Sequence, residues 1–226
     1  LVYTHRLRGN LQLSLVSSLG GESRKLANGG RPCVWLEREN RIMFQRSSKT
    51  DRSRVFPSSQ AEIWSVKLDG TDERFEFPDS SFRGGHLDFF SYSVSPDEAS
   101  IAWIKNFPDF TQELMIHSRT SHENVQITFD HANIDEVVWS KDNHLLYSCT
   151  KGGNLDLWAI SPQSETQTQM TRSAVAELYG QLSSDGSRLL YYQAHQNGNI
   201  IIGDLATGAV RQITSDDTYR AFVSIS

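Results

Sequence analysis

The chain has 226 residues, 38% of them hydrophobic and 22% charged, with 22 Lys and Arg against 27 Asp and Glu for a formal net charge of −5. This supplies the apolar material for one substantial core, while the charge excludes the clustered cations that bind phosphate backbones, so no nucleic acid partner is expected. Cys33 and Cys149 form neither a CxxC nor a zinc-ligand spacing, which excludes a disulfide framework and makes both small buried apolar residues.

In chain order, Leu1-Val2-Tyr3 reads as the start of a strand, and Gly9-Asn10 as a hairpin into the alternating Leu11-Gln12-Leu13, because Gly and Asn tolerate positive φ. A strand near 32–36 leads through Leu36-Glu37-Arg38-Glu39 to the apolar Ile42-Met43-Phe44. The Ser, Arg and Pro-rich stretch around 48–60 reads as a loop insertion, and Leu68-Asp69-Gly70-Thr71 as a polar turn. Ser95-Pro96-Asp97-Glu98 precedes Ile101-Ala102-Trp103, after which Phe107-Pro108-Asp109-Phe110 puts an apolar hairpin where Gly-Asn would be expected. That hairpin is either an exposed contact point or folds back on its own sheet. Short strands follow at Val125-Gln126-Ile127-Thr128 and 134–139. The pattern then repeats: Ser140-Lys141-Asp142-Asn143 before Leu145-Leu146-Tyr147, Gly153-Asn154 before Leu155-Asp156-Leu157, and Ser183-Ser184-Asp185-Gly186 before Leu189-Leu190-Tyr191. Gly198-Asn199-Ile200-Ile201-Ile202, Leu205-Ala206-Thr207-Gly208 and Val210-Arg211-Gln212-Ile213-Thr214 complete the last copy.

The three Ser-x-Asp starts lie 45 and 43 residues apart, and Leu36, the start of an older copy, precedes Ser95 by 59. Four strands in about 44 residues is the period of a propeller blade. The motif resembles the TolB-like, or WD40-like, β-propeller repeat family, best at Val94-Ser95-Pro96-Asp97, Trp139-Ser140-Lys141-Asp142 and Leu182-Ser183-Ser184-Asp185-Gly186. It departs from that pattern at Glu98 and Asn143, where Gly is expected, and lacks the signature at Leu36 to Glu39. The resemblance implies an all-β propeller of about five four-stranded blades, at approximately 221–226 with 1–27, 32–78, 89–129, 134–171 and 177–214. Each repeat would begin with a channel-lining strand, near 32–36, 90–95, 134–139, 178–183 and 221–226. The connections at 28–31, 80–88, 130–135, 173–177 and 215–220 would form one mouth of the channel. The phases of the two ends predict that 221–226 pairs antiparallel with 1–6 and closes the ring, the alternative being an arc of a six-bladed propeller.

No G-x-S-x-G elbow occurs, and Ser95, Ser140 and Ser183 recur with their Asp partners at the blade period, so turn hydrogen bonding explains them better than catalysis. No catalytic residue and no cofactor is assigned. Trp35, Trp103, Trp139, Tyr147 and Tyr191, and likewise Trp64 and Trp158, read as blade-to-blade packing. None of the seven histidines has H-E-x-x-H spacing. His86 and His131 stand out because both fall in mouth connections beside Asp88, Asp130 and Asp135, with Arg83-Gly84-Gly85 adding a cation. Polar loop lining is the simpler reading there and a metal or anion site the alternative. Arg83, His86, Asp88, His131 and Asp135 are therefore the partner-contacting candidates.

These features predict a non-enzymatic module that binds or senses a protein or peptide, the extracytoplasmic or sensor part of a larger bacterial protein, periplasmic or otherwise outside the cytoplasm, with the cytoplasm as the alternative compartment. The alternative is a propeller that gates a peptidase or acts on a saccharide. No apolar run reaches the roughly 20 residues needed to span a bilayer, so the segment is expected to be soluble, without membrane insertion, its targeting segment removed or never included. The absence of an Asn-x-Ser/Thr sequon leaves secretory glycosylation without support.

Overall fold

The computed structural model describes residues 1–7, 10–28, 31–47, 61–77, 92–107, 109–183, 185–194 and 199–215. These carry nineteen strands, one single-turn 3-10 helix, and no helix long and apolar enough to cross a membrane. The strands form one three-stranded and four four-stranded antiparallel sheets, each a meander of consecutive neighbours. The sheets divide between two compact units, positions 1–89 and 90–226.

In the first unit, β1 (Val2–Leu7), β2 (Asn10–Leu15) and β3 (Arg24–Asn28) make the three-stranded sheet. β4 (Arg31–Leu36), β5 (Arg41–Ser47), β6 (Ala61–Lys67) and β7 (Arg74–Phe77) make the next. Alternation along each strand turns Leu13, Leu26, Ile42, Phe44 and Val66 into one shared apolar core between the two sheets. The expected closing strand 221–226 and the insertion at 48–60 lie outside the described residues.

The second unit holds three sheets: β8 (Tyr92–Val94) to β11 (Asn124–Gln126) through β9 (Ser100–Asn106) and β10 (Gln112–Ser118); β12 (Ile134–Trp139) to β15 (Gln167–Gln169) through β13 (Leu145–Cys149) and β14 (Asp156–Ile160); and β16 (Ala176–Leu182) to β19 (Val210–Gln212) through β17 (Arg188–Ala194) and β18 (Asn199–Asp204). Two apolar clusters join them, one around Ala102, Leu114, Val137 and Tyr147, the other around Leu146, Leu157, Leu189 and Tyr191.

The Ser-x-Asp turns work as their chemistry predicts. Ser183 Oγ donates to Asp185 Oδ1 at 2.6 Å and accepts the Arg188 amide at 3.0 Å, and Ser95 makes the same pair with Asp97 and the Ser100 amide at 2.5 and 2.9 Å. The residue at the Gly position is left-handed in all three turns: Gly186 at φ 72°, but also Glu98 at 61° and Asn143 at 63°. The departures from the repeat pattern thus keep its backbone, at a steric cost that Gly alone avoids.

Where the signature is missing, at Leu36 to Glu39, the turn keeps its backbone: Asn40 N–H donates to the Glu37 carbonyl at 3.3 Å and Asn40 is left-handed at φ 52°, while just beyond it a side-chain network ties β5 to β6. Arg41 is fully buried; its Nε donates to Ser65 Oγ at 2.8 Å, Nη1 to Asp72 Oδ2 at 3.0 Å, and Nη2 to the Ser65 carbonyl at 3.2 Å. Hydrogen bonding from Arg74, helped by Lys67 and Arg41, holds the Asp72 carboxyl down at about 2.

Each repeat of the second unit ends on a threonine lock. Thr128 Oγ1 accepts the Leu114 amide at 2.8 Å, Thr171 Oγ1 the Leu157 amide at 3.0 Å, and Thr214 Oγ1 the Ile200 amide at 2.9 Å. The expected aromatic packing holds for Trp103, Tyr147 and Tyr191, which are buried, and fails for Trp35, which is 45% exposed. Trp139 and Trp158 pack, partly buried, against the first of the two clusters of the second unit, and Trp64 against the core of the first unit, whereas Trp35, on the first strand of its sheet, faces away.

Candidate binding face

Two short segments of the second unit meet at the end of the sheets where β9 turns into β10 and where β11 leads to β12. The hairpin between β9 and β10 is tightly built. Phe107 N–H donates to the Thr111 carbonyl at 2.9 Å, Phe110 N–H to the Phe107 carbonyl at 3.0 Å, and Thr111 Oγ1 to Asp109 Oδ1 at 2.7 Å. The Thr111 hydroxyl and amide, with a smaller contribution from His131, hold the Asp109 carboxyl below its ordinary range. Phe110 leaves this turn with φ at 66° and its side chain 90% exposed. Of the two readings of this hairpin, Phe110 does not fold back on its own sheet but stands exposed.

The segment from β11 to β12 is fixed by residues that repeat analysis does not single out. Glu113, fully buried at the start of β10, accepts Thr128 Oγ1 at 2.6 Å and the amides of Asp130 and His131 at 3.2 and 2.7 Å. His131 is left-handed at φ 49°, so that successive N–H groups converge on one carboxylate, a backbone nest. Gln112 Oε1 accepts the Ile134 amide at 2.7 Å, and Lys151 pairs with Asp130 Oδ1 at 2.8 Å while lying 5.1 Å from the centre of the Trp158 ring. So anchored, the segment presents Phe129, 64% exposed, and the His131 ring, 74% exposed.

A second nest lies at the next sheet boundary. Tyr179 in β16 has φ 56°, an uncommon conformation for a bulky residue, at a bulge between Leu178 and Gln181. There Gly180 N–H donates at 2.7 Å to Glu136 Oε1, which also accepts Ser148 Oγ at 3.1 Å. A Cβ on Gly180 would lie 3.0 Å from Leu157 Cδ2, so a larger residue there would have to displace that side chain. Burial is the largest influence on Glu136 and lifts its carboxyl to about 7, against the lowering effect of these donors.

Of the candidates from sequence, Arg83, His86 and Asp88 lie outside the described residues. His131 is on the anchored segment, with its Nδ1 3.8 Å from Glu113 Oε1. Asp135 lies within β12, exposed, in the irregular stretch between Ile134 and Val137. The metal alternative finds no group of three or more His, Cys, Asp or Glu among the described residues suited to hold an ion. Cys149, also among these strands, is buried, and burial raises its thiol to about 11. The residues missed by sequence reasoning are Glu113, Phe129, Lys151 and Glu136. A signal existed for the first: Glu62, Glu113, Asp156 and Asn199 occupy one register position in the third strand of their sheets.

No protein-family model and no curated protein matches this sequence. Among solved structures the chain is similar to TolB from Acinetobacter baumannii, at 16% identity over 96% of this chain and 53% of that one, with a TM-score of 0.69. The fold is a TolB-like β-propeller. The propeller is likewise similar to oligogalacturonate lyase from Vibrio parahaemolyticus (13% identity, 94% and 61% of the two chains, TM-score 0.68) and to a puromycin hydrolase (16%, 95% and 36%, 0.68). The propeller thus spans about half of TolB and about a third of the hydrolase. Neighbours named as a Tol protein, a lyase and a hydrolase share one architecture, so the fold does not select a function.

Proposed function

We propose that this propeller is a non-enzymatic module that binds or senses a protein or peptide, the extracytoplasmic part of a larger bacterial protein, and that its partner meets the face carrying Phe110, Phe129 and His131. The observation that carries the reading is Phe110. A large aromatic side chain stands 90% exposed on a left-handed backbone, two unfavourable features at one residue. Gly or Asn at that place would remove both. Asp135, exposed on β12, and Arg83, His86 and Asp88, on their repeat phase, remain partner-contacting candidates.

The test has two arms. Wild type and a Phe110→Asn, His131→Ala variant are immobilised and exposed to extract of the source cell; a partner retained by the first and released by the second supports the reading, and equal retention refutes it. Turnover on ester, peptide and glycoside panels that one point substitution abolishes would refute the non-enzymatic part. A second reading, a propeller gating a peptidase, draws on the likeness to puromycin hydrolase, of which this chain matches 36%. An α/β-hydrolase domain encoded next to this segment would favour it.

A further inference from the structure

Resting on that reading, we infer the chemistry of the partner: a cationic stretch of polypeptide, in which a lysine or arginine lies over the Phe110 ring and pairs with Asp109 while an apolar neighbour meets Phe129.

The charges on this face point that way. Asp109 and Asp135 are exposed there beside the His131 ring, Asp130 is paired with Lys151, and both lysines of the face are engaged internally: Lys151 with Asp130, Gln167 and Trp158, and Lys105 with its ammonium 4.8 Å from the centre of the Phe107 ring. Asp109 receives the Thr111 hydroxyl and amide on Oδ1 and has no lysine or arginine partner among the described residues. The adjacent Phe110 ring has no aromatic or cationic neighbour among them either. A carboxylate kept charged beside an uncovered aromatic face is the complement of an ammonium or guanidinium group.

The same end of the molecule twice satisfies an aromatic ring with a lysine, at Phe107 and at Trp158. Phe110 repeats that chemistry with the cation missing. A ring so exposed cannot enclose a small amine, which needs most of its surface buried; it forms one side of a broad contact. Phe129 lies on the other segment, which meets the hairpin strand through the Gln112 amide and the Ala132 carbonyl, and gives the contact a second, apolar point. An acidic chain would instead meet the Asp109 charge with little to offset it.

The experiment measures fluorescence anisotropy with the full chain and three labelled peptides of equal length: alternating arginine and leucine, its glutamate and leucine counterpart, and an arginine and serine form. The arginine and leucine peptide is expected to bind at least about tenfold more tightly than the glutamate form, with Phe110→Asn and Asp109→Asn each weakening it about threefold to tenfold. Thermal unfolding checks that both variants fold. Asp109→Asn keeps an acceptor for Thr111, and Phe110→Asn suits the left-handed backbone. Affinity for the arginine peptides that is absent, or unchanged in both variants, overturns the inference. Tighter binding of the glutamate peptide, lost in Phe110→Asn, overturns the cationic class and leaves the binding face standing. Binding of every peptide unaffected by Phe110→Asn overturns the face as well.

Discussion

Glu136 gives a stability test with a defined pH signature. Its carboxyl rises from 4.5 to about 7 because burial outweighs the hydrogen bonds from Gly180 and Ser148. The folded protein therefore keeps this proton in a range where the unfolded chain has released it. The contribution to stability is fully present below 4.5, declines as pH rises, and is lost above about 7. A displacement of this size corresponds to about 3 kcal/mol between the two limits, and to about 2.5 kcal/mol between about pH 5 and about pH 8. Glu136→Gln retains an oxygen to accept from Ser148 and Gly180 and removes the titration. In denaturant unfolding followed by tryptophan fluorescence across that range, the variant should gain about 2.5 kcal/mol on wild type as pH rises. Differencing the two proteins cancels other titrating groups. Parallel stability curves would refute the assignment, since a carboxyl that only fills space shifts both ends equally.

Phe110→Asn is expected to raise stability by about 1 kcal/mol, read as a higher Tm, because it relieves a left-handed bulky residue and removes no buried contact. Arg41→Ala should cost about 2 kcal/mol in chemical denaturation, less than a fully buried ion pair because Asp72 keeps Arg74 and Lys67. Ser183→Ala should cost about 1 kcal/mol, leaving the Arg188 amide without its side-chain acceptor, and Ser183→Thr should restore part of it. Glu113→Ala should free the amides of Asp130 and His131 and accelerate hydrogen exchange there by at least about tenfold, with β16–β19 unaffected.

The parts of the fold legible in the sequence are those whose chemistry is local. Ser95, Ser140 and Ser183 speak through turns that close within five residues, and β12 falls on the expected 134–139 because apolar alternation and the following Ser-x-Asp turn bound it on one side. The structure starts β16 at Ala176, two residues before the expected 178, since pairing across a bulge lets a strand continue where alternation breaks. Phe110 was visible as a break in the Gly-Asn pattern, though not its exposure, which depends on how the turn ends. Glu113 was legible as a polar residue recurring at one phase of the third strand with Glu62, Asp156 and Asn199, but its role, like all of Glu136, was not, because the partners are amides of other segments, 44 residues away in the case of Gly180. No side-chain pattern announces which backbone N–H groups will converge.

The threonine locks bear on how such a chain can grow. Thr128, Thr171 and Thr214 are spaced 43 residues apart, and each fastens a third strand of its own repeat. A stretch of gene copied from just after one of these threonines to the next carries a complete sheet together with its own fastening. It needs nothing from the parent copy to hold its outermost strand. Glu136 behaves in the opposite way, since its carboxylate belongs to one repeat and the amide it holds to the following one. Duplicated units of this kind arrive self-closed at the rim, and selection afterwards has only the joints between neighbours to adjust.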